Sequence, residues 1–168
     1  NRIAAGPVAQ ASRTTLLVFH QHNSKYMEDM GYKRRSVIGY PVFYPEWIDL
    51  VTKYDPESNR PGSIVVIYSR HITDLFMDPD TYELLLSSSI RIVSEKLGQV
   101  PIVVKPHPRE DPRTLQRIIE SQSNSIVEVS HEHPAVLARN AKFAIGFWGS
   151  VVLESLALNV PTVEYYIE

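Results

Sequence analysis

The sequence contains no cysteine, and this absence excludes several kinds of chemistry. Disulfide bonds, thiolate zinc sites and a cysteine nucleophile all need a thiol. A chain without cysteine suits a reducing compartment, so we expect the protein in the cytoplasm. An excess of one charge is lacking too, because 17 basic residues stand against 19 acidic ones. We therefore expect no nucleic-acid partner, and any recognition of phosphate must be local.

Long apolar runs are also missing. No stretch approaches the roughly 20 apolar residues that cross a bilayer, and residues 1–12 lack the ordered charge-then-apolar pattern of a signal peptide. We expect a soluble protein without a membrane span, for which peripheral membrane association stays open. The chain begins with Asn1 rather than Met and stops at Glu168 directly after a predicted strand. We expect it to be part of a longer protein.

Short apolar runs alternate with stretches of helical period, which is typical of βαβ units. A helix of clear period begins at Asp78-Pro79 and ends at Gly98, and Asp111-Pro112 repeats the start signal. The β-branched and aromatic runs predict strands at residues 64–68, 101–105, 126–129, 143–147 and 162–166. The sequence therefore predicts an α/β fold, a Rossmann-like doubly wound parallel sheet with about five core strands.

The segment before residue 63 is less regular. Residues 14–20 and 35–38 predict two brief strands around a short helix, and Gly39-Tyr40-Pro41 interrupts the pattern. A helix is predicted at residues 45–54, followed by a polar loop at residues 55–62. We expect this loop to lead into the main sheet.

Ligands of an open parallel sheet bind beyond the carboxyl ends of its strands, where the strand order reverses. Ser69, Arg70 and His71 follow the first strand of the main sheet. If the strand order is 3-2-1-4-5, these residues lie between the ends of the second and fourth strands. Ser69 and Arg70 are therefore predicted to bind a ligand, with a solvated loop charge as the alternative for Arg70.

The second strand ends in Lys105-Pro106-His107-Pro108-Arg109. Two prolines flank one histidine, so the backbone is restricted and the imidazole has a defined direction. His107 could donate to a phosphate oxygen, and Lys105 or Arg109 could supply positive charge to the same group. The alternative is that His107 has a structural role at the strand end.

The fourth strand leads through Trp148-Gly149-Ser150 into a helix predicted at residues 149–158. Small residues at a helix start let a phosphate approach unpaired N–H groups, so this segment predicts a phosphate site. Glu154 could accept hydrogen bonds from ribose hydroxyls. The alternative is that Ser150 only caps the helix and Glu154 only complements its dipole.

Two histidine pairs have the alternate spacing of half a metal site, at residues 20 and 22 and at residues 131 and 133. Each lacks a third ligand at a suitable spacing, and the second pair adjoins Pro134 at a helix start, so loop or capping roles are expected and no metal is predicted. No Gly-rich dinucleotide or Walker loop follows the first strand, which counts against a dehydrogenase or an NTPase.

The chain from residue 39 to residue 168 resembles the carboxyl-terminal domain of GT-B-fold glycosyltransferases, especially bacterial capsule and surface-polysaccharide enzymes. Two motifs carry the resemblance, KPHPRE at residues 105–110 and GFWGSVVLESLALNVPTV at residues 146–163. The resemblance implies that His107 and Pro108 contact the donor nucleotide, and that Ser150 and Glu154 meet its phosphate and ribose.

The same resemblance implies that residues 1–38 are a tail and a remnant of an amino-terminal domain, and that residues 39–168 form the nucleotide-sugar-binding domain. It implies transfer of a sugar from a cytidine- or uridine-activated donor, bound as substrate and without a separate cofactor, to a saccharide acceptor. The partner that completes such an enzyme would be the amino-terminal domain of the same protein, so this fragment would be an incomplete enzyme. A sugar-nucleotide 2-epimerase and a noncatalytic α/β binding module are the alternatives.

Overall fold

The computed structural model describes residues 15–54, 62–73, 77–122 and 125–167. The chain divides into two compact units, Asn1–Trp47 and Ile48–Glu168. Several segments named in the sequence analysis lie outside the described residues. They are residues 1–12, which lack a signal-peptide pattern, residue 14 of the first predicted strand, residues 55–61 of the expected polar loop and the terminal Glu168.

The first unit contains a small parallel sheet. Strand β1 (Leu16–Val18) pairs with β2 (Arg35–Val37), and helix α1 (Gln21–Asp29) connects them. A 3₁₀ helix (Pro41–Phe43) follows the break at Gly39, which has a positive φ of 74°. Helix α2 (Pro45–Tyr54) then runs into the second unit.

The second unit is built on a five-stranded parallel sheet in the order β5-β4-β3-β6-β7. The predicted α/β class and the five parallel strands are confirmed, and the observed order is the one assumed in placing the ligand-binding residues. The strands are β3 (Ile64–Tyr68), β4 (Ile102–Lys105), β5 (Val127–Val129), β6 (Ala141–Gly146) and β7 (Thr162–Glu164). The helices that connect them are α3 (Pro79–Leu97), α4 (Pro112–Glu120), α5 (Pro134–Asn140) and α6 (Val152–Ala157).

Helices cover both faces of this sheet. Alternate residues of β3 pack into different clusters: Val65 and Ile67 contact the residues of α3 and α4, and Val66 and Tyr68 pack with Leu137 of α5. These four side chains are at most 1% exposed. A central parallel strand buried on both faces needs a continuous apolar run, which explains the sequence IVVIY. Within the described residues, no helix is long and apolar enough to cross a membrane.

The helix boundaries follow the predicted capping signals. Asp78 caps α3 by accepting the backbone N–H of Thr81 at 2.9 Å, and Gly98 ends the helix with a φ of +65°. Asp111 caps α4 by accepting the backbone N–H groups of Arg113 and Thr114. Both predicted Asp-Pro starts are confirmed.

The predicted start of the last helix was wrong. Helix α6 begins at Val152 rather than at residue 149, and Gly149 and Ser150 lie in the turn before it. The reason is a tight turn with i→i+3 hydrogen bonds: Leu153 N–H donates to the Ser150 carbonyl, and Glu154 N–H donates to the Val151 carbonyl. Trp148 enters this turn with a left-handed φ of 47°.

Candidate functional site

Three loops meet at the carboxyl edge of the main sheet. Because β3 lies between β4 and β6, the residues that follow these three strands are neighbours. They surround a cleft of about 270 Å³. Its lining consists of Tyr68, Ser69, Arg70, His71, His107, Phe147, Trp148, Gly149, Ser150 and Val151.

Six of the ten predicted ligand-binding residues line this cleft: Ser69, Arg70, His107, Trp148, Gly149 and Ser150. The other four, Lys105, Pro108, Arg109 and Glu154, do not belong to its lining. His71 lines the cleft although it was not among the predicted residues. The signal for it was its position, directly after Arg70 at the end of β3.

Arg70 joins the loop after β3 to the turn after β6. Its Nη1 donates a hydrogen bond to the backbone carbonyl of Trp148. Trp148 is 46% exposed, and the centroid of its ring lies 6.4 Å from that of Tyr166, which follows β7. The left-handed backbone of Trp148 costs an L residue about 1–2 kcal/mol. The site therefore holds a guanidinium and a partly exposed indole at one edge of the cleft.

The imidazole of His107 is held by its own loop. Its Nδ1 accepts the backbone N–H of Arg109 at 3.1 Å, and its ring stacks on that of His71 with centroids 4.2 Å apart. Partial burial lowers the pKa of His107, and the nearby His71, Arg109, Arg70 and Lys105 lower it further. His107 is therefore a neutral hydrogen-bonding group at pH 7.

Glu110 holds the loop after β4 in place, although it was not among the predicted site residues. Its Oε2 accepts the backbone N–H of His107 at 2.8 Å and the hydroxyl of Ser69 at 2.6 Å, and its Oε1 accepts the hydroxyl of Tyr82. Burial raises the pKa of Tyr82, and the adjacent carboxylate raises it further. One side chain thus connects the ends of β3 and β4 to α3. The available signal was a carboxylate three residues after His107 within KPHPRE.

Two of the predicted residues are occupied by contacts within the protein. The Ser69 hydroxyl, on a residue only 7% exposed, donates to Glu110 and so supports the loop rather than facing the cleft freely. Lys105 Nζ donates to the carbonyl of Pro106 at 3.2 Å. Burial lowers the pKa of Lys105, while the charge of Glu110 acts in the opposite direction.

Beneath the turn after β6 lies a buried polar group. The hydroxyl of Tyr68 is 2.8 Å from that of Ser155 and donates to the carbonyl of Pro134 at 3.2 Å. Burial raises the pKa of Tyr68 to about 12, with a smaller contribution in the same direction from the charge of Glu154. Within the described part of the chain, Oε2 of Glu154 is enclosed and has no hydrogen-bond partner.

Both histidine pairs provide helix caps, as expected. His20 caps α1 by accepting the backbone N–H of His22, and His133 caps α5 by accepting the backbone N–H of Ala135. Among residues 15–54, 62–73, 77–122 and 125–167, no group of three or more His, Asp or Glu side chains is placed to hold a metal ion.

A second, larger groove of about 430 Å³ lies on the α3 face of the sheet, lined mainly by apolar side chains of α3, β6 and β7. Lys96 is the charged residue of its lining, and Ser89 contributes a hydroxyl. It has no set of converging donors comparable to that of the 270 Å³ cleft. The cleft is therefore the better candidate for binding a polar ligand.

Comparison with solved structures supports the fold. No protein-family model matches the chain, and no curated protein matches it in sequence. The structure is similar to that of TarM from S. aureus, a GT-B glycosyltransferase solved as a point mutant with UDP, fondaparinux and α-GlcNAc-glycerol. The TM-score is 0.51 at 13% identity, over 93% of this chain and 31% of TarM. The chain thus spans about a third of that protein, and the likeness shows a shared Rossmann-like α/β fold.

Proposed function

We propose that this chain is the nucleotide-sugar-binding half of a cytoplasmic glycosyltransferase that builds a capsular or other surface polysaccharide, or a glycolipid. The observation that carries the proposal is the convergence of the loops after β3, β4 and β6 on one cleft. The fold shared with TarM, which was solved with UDP, supports it.

The proposed donor lies with its phosphate against Arg70 and His107. Arg70 supplies a guanidinium, and its hydrogen bond to the Trp148 carbonyl limits the movement of this group. His107 supplies a neutral donor whose orientation is fixed by Arg109 and Glu110. Donors fixed before the reaction stabilise the charge that develops on a departing nucleotide phosphate without reorganising.

The remainder of the donor is assigned to the turn after β6 and to α6. The partly exposed ring of Trp148 offers an apolar face to a base or a sugar. Gly149 and Ser150 leave room for close approach, and Glu154 is the proposed acceptor for ribose hydroxyls. Lys105 and Arg109 contribute positive charge from the adjoining loop, and Pro108 restricts that loop.

The acceptor site and the catalytic base are assigned to an amino-terminal domain of the same enzyme. In this proposal residues 1–38 belong to that domain and residues 39–168 to the donor-binding domain. The donor carries a cytidine or uridine nucleotide, and the acceptor is a growing saccharide.

The proposal is tested by calorimetric titration of the 168-residue chain with CMP, CDP, UMP, UDP and GDP. We expect selective binding of a cytidine or uridine nucleotide that is lost in His107→Ala. The matched control is His131→Ala, since His131 is an exposed histidine outside the cleft lining. A folded chain that binds none of the five nucleotides would contradict the proposal and favour a noncatalytic binding module.

A further inference from the structure

His71 and His107 form a stacked pair in the cleft. Their ring centroids are 4.2 Å apart and the ring planes are inclined by 29°. His71 follows β3 and His107 follows β4, so the pair joins two of the three loops of the site. Both side chains line the cleft.

The hydrogen bond on Nδ1 of His107 determines which nitrogen carries its proton. Because Nδ1 accepts the backbone N–H of Arg109, the proton of the neutral ring is on Nε2. A second proton on Nδ1 would break that bond. Arg70, Lys105 and Arg109 also surround this ring with positive charge, which disfavours the imidazolium form. Nε2–H is therefore the group that His107 presents to a ligand.

The surroundings of His71 impose the same tautomer by another route. Its Nδ1 is enclosed, and in the described residues it has no hydrogen-bond partner. A proton on this atom would be a buried donor without an acceptor, which is more costly than an unused lone pair on a weak acceptor. This favours the tautomer of His71 that carries the ring proton on Nε2.

We propose that His71 is a second imidazole ligand of the nucleotide phosphate, and that His71 and His107 act as a pair of Nε2–H donors. This inference rests on the proposed function of the cleft. Arg70 supplies the positive charge for phosphate binding, and the hydrogen bonds from the two imidazoles orient the phosphate. Glu110 holds the His107 loop from behind, and the turn at residues 148–151 brings no ionisable side chain to the pair.

Two substitutions separate a donor role for His71 from a packing role. His71→Gln places an amide N–H near the position of Nε2, whereas His71→Phe keeps a ring against His107 but has no donor. The full 168-residue chain and both variants are titrated at pH 7.5 with UDP and with inorganic pyrophosphate. Loss of a hydrogen bond to a charged phosphate predicts at least about tenfold weaker binding in His71→Phe. We expect His71→Gln to bind within about threefold of the unmodified chain, because one donor is replaced by another.

The two proposals can fail separately. Unchanged binding of UDP by His71→Phe would overturn the role of His71 and leave the nucleotide site intact. Pyrophosphate binding that depends on His71, without binding of any nucleotide, would overturn the glycosyltransferase proposal and retain the phosphate site. Long-range ¹H–¹⁵N spectra of the unmodified chain give a test without substitutions: both rings are expected as Nε2–H tautomers whose Nε2 signals shift on adding pyrophosphate. An Nδ1–H tautomer of His71, or signals that do not move, would overturn the inference.

Discussion

The backbone N–H of His107 donates to the carboxylate of Glu110 at 2.8 Å, which closes the loop after β4 on itself. The same carboxylate accepts the hydroxyls of Ser69 and Tyr82, so three elements share one acceptor group. Glu110 is thus a positioning residue that holds His107 without lining the cleft.

Glu110→Gln should therefore affect both stability and binding. An amide has one acceptor oxygen where the carboxylate has two, so at least one donor loses its partner, at a cost of about 1–3 kcal/mol in the free energy of unfolding. We expect weaker UDP binding as well, because the His107 loop is less restrained. Urea denaturation and calorimetry measure the two effects. The control is Glu120→Gln on the exposed end of α4, and UDP affinity equal to that of the control would contradict the positioning role.

Gly146 is required by the start of α6. A Cβ at Gly146 would overlap Cγ1 of Val152, a β-branched side chain with little freedom to move. We expect Gly146→Ala to lower the free energy of unfolding by about 1–3 kcal/mol. Val152→Ala removes the clashing atom, so the double variant should lose less than the sum of the two single variants. Additive losses in urea denaturation would show that the overlap is relieved in another way.

Two substitutions at Trp148 separate the effect of its backbone conformation on stability from the effect of its indole ring on binding. Both Trp148→Ala and Trp148→Gly remove the indole, but glycine adopts the φ of 47° without the steric cost that alanine retains. The glycine variant should therefore be more stable than the alanine variant by about 1 kcal/mol in thermal or urea denaturation. Both should bind UDP more weakly than the unmodified chain and to the same extent. Full UDP affinity in the glycine variant would exclude a role for the ring.

The capping carboxylates predict a loss of stability in acid. Hydrogen bonds from Thr81 lower the pKa of Asp78, and hydrogen bonds from Thr114 and Arg113 lower that of Asp111. A carboxyl whose pKa is lower in the folded state stabilises the fold above its unfolded pKa, and this contribution disappears as pH falls through the folded pKa. We expect the urea concentration at the midpoint of denaturation to decrease as the pH is lowered from about 5 to about 2. This range includes the ordinary aspartate pKa of about 3.9.

Asp78→Asn is the matched variant for that titration, because asparagine also caps helices but does not ionise in this range. Its stability at pH 6 should stay close to that of the unmodified chain, and its loss on acidification should be smaller. An equal acid loss in both proteins would show that other carboxyls dominate.

The sequence predicted those parts of the fold that depend on local signals. They include the apolar run of β3, the start of α3 at Asp78-Pro79 and its end at Gly98. Each could be predicted because periodicity and capping depend on a few neighbouring residues. The alternation of strands and helices predicted the parallel sheet, whereas the strand order was an assumption that the structure matches. By contrast, the start of α6 depends on the turn around Trp148, whose left-handed backbone has no marker in the sequence, since glycine or asparagine is the usual residue there.

The candidate site was only partly predictable, for a related reason. Arg70, His107 and Trp148 follow strands and could be found by position alone. The stacking of His71 on His107 and the contacts of Glu110 with Ser69 and Tyr82 join residues that are far apart in the chain. Such contacts depend on the packing of three elements, and no spacing rule within one segment predicts them.

The placement of β6 beside β3 determines when the cleft can form during synthesis of the chain. Arg70 and Trp148 are 78 residues apart, and they meet only when β6 has joined the sheet next to β3. During translation the β3 and β4 loops emerge first, so a nascent chain contains half of the cleft long before the other half exists. If the cleft binds nucleotide as proposed, nucleotide present during refolding should leave early steps unchanged and slow the unfolding of the finished domain, so that its binding would report completed folding.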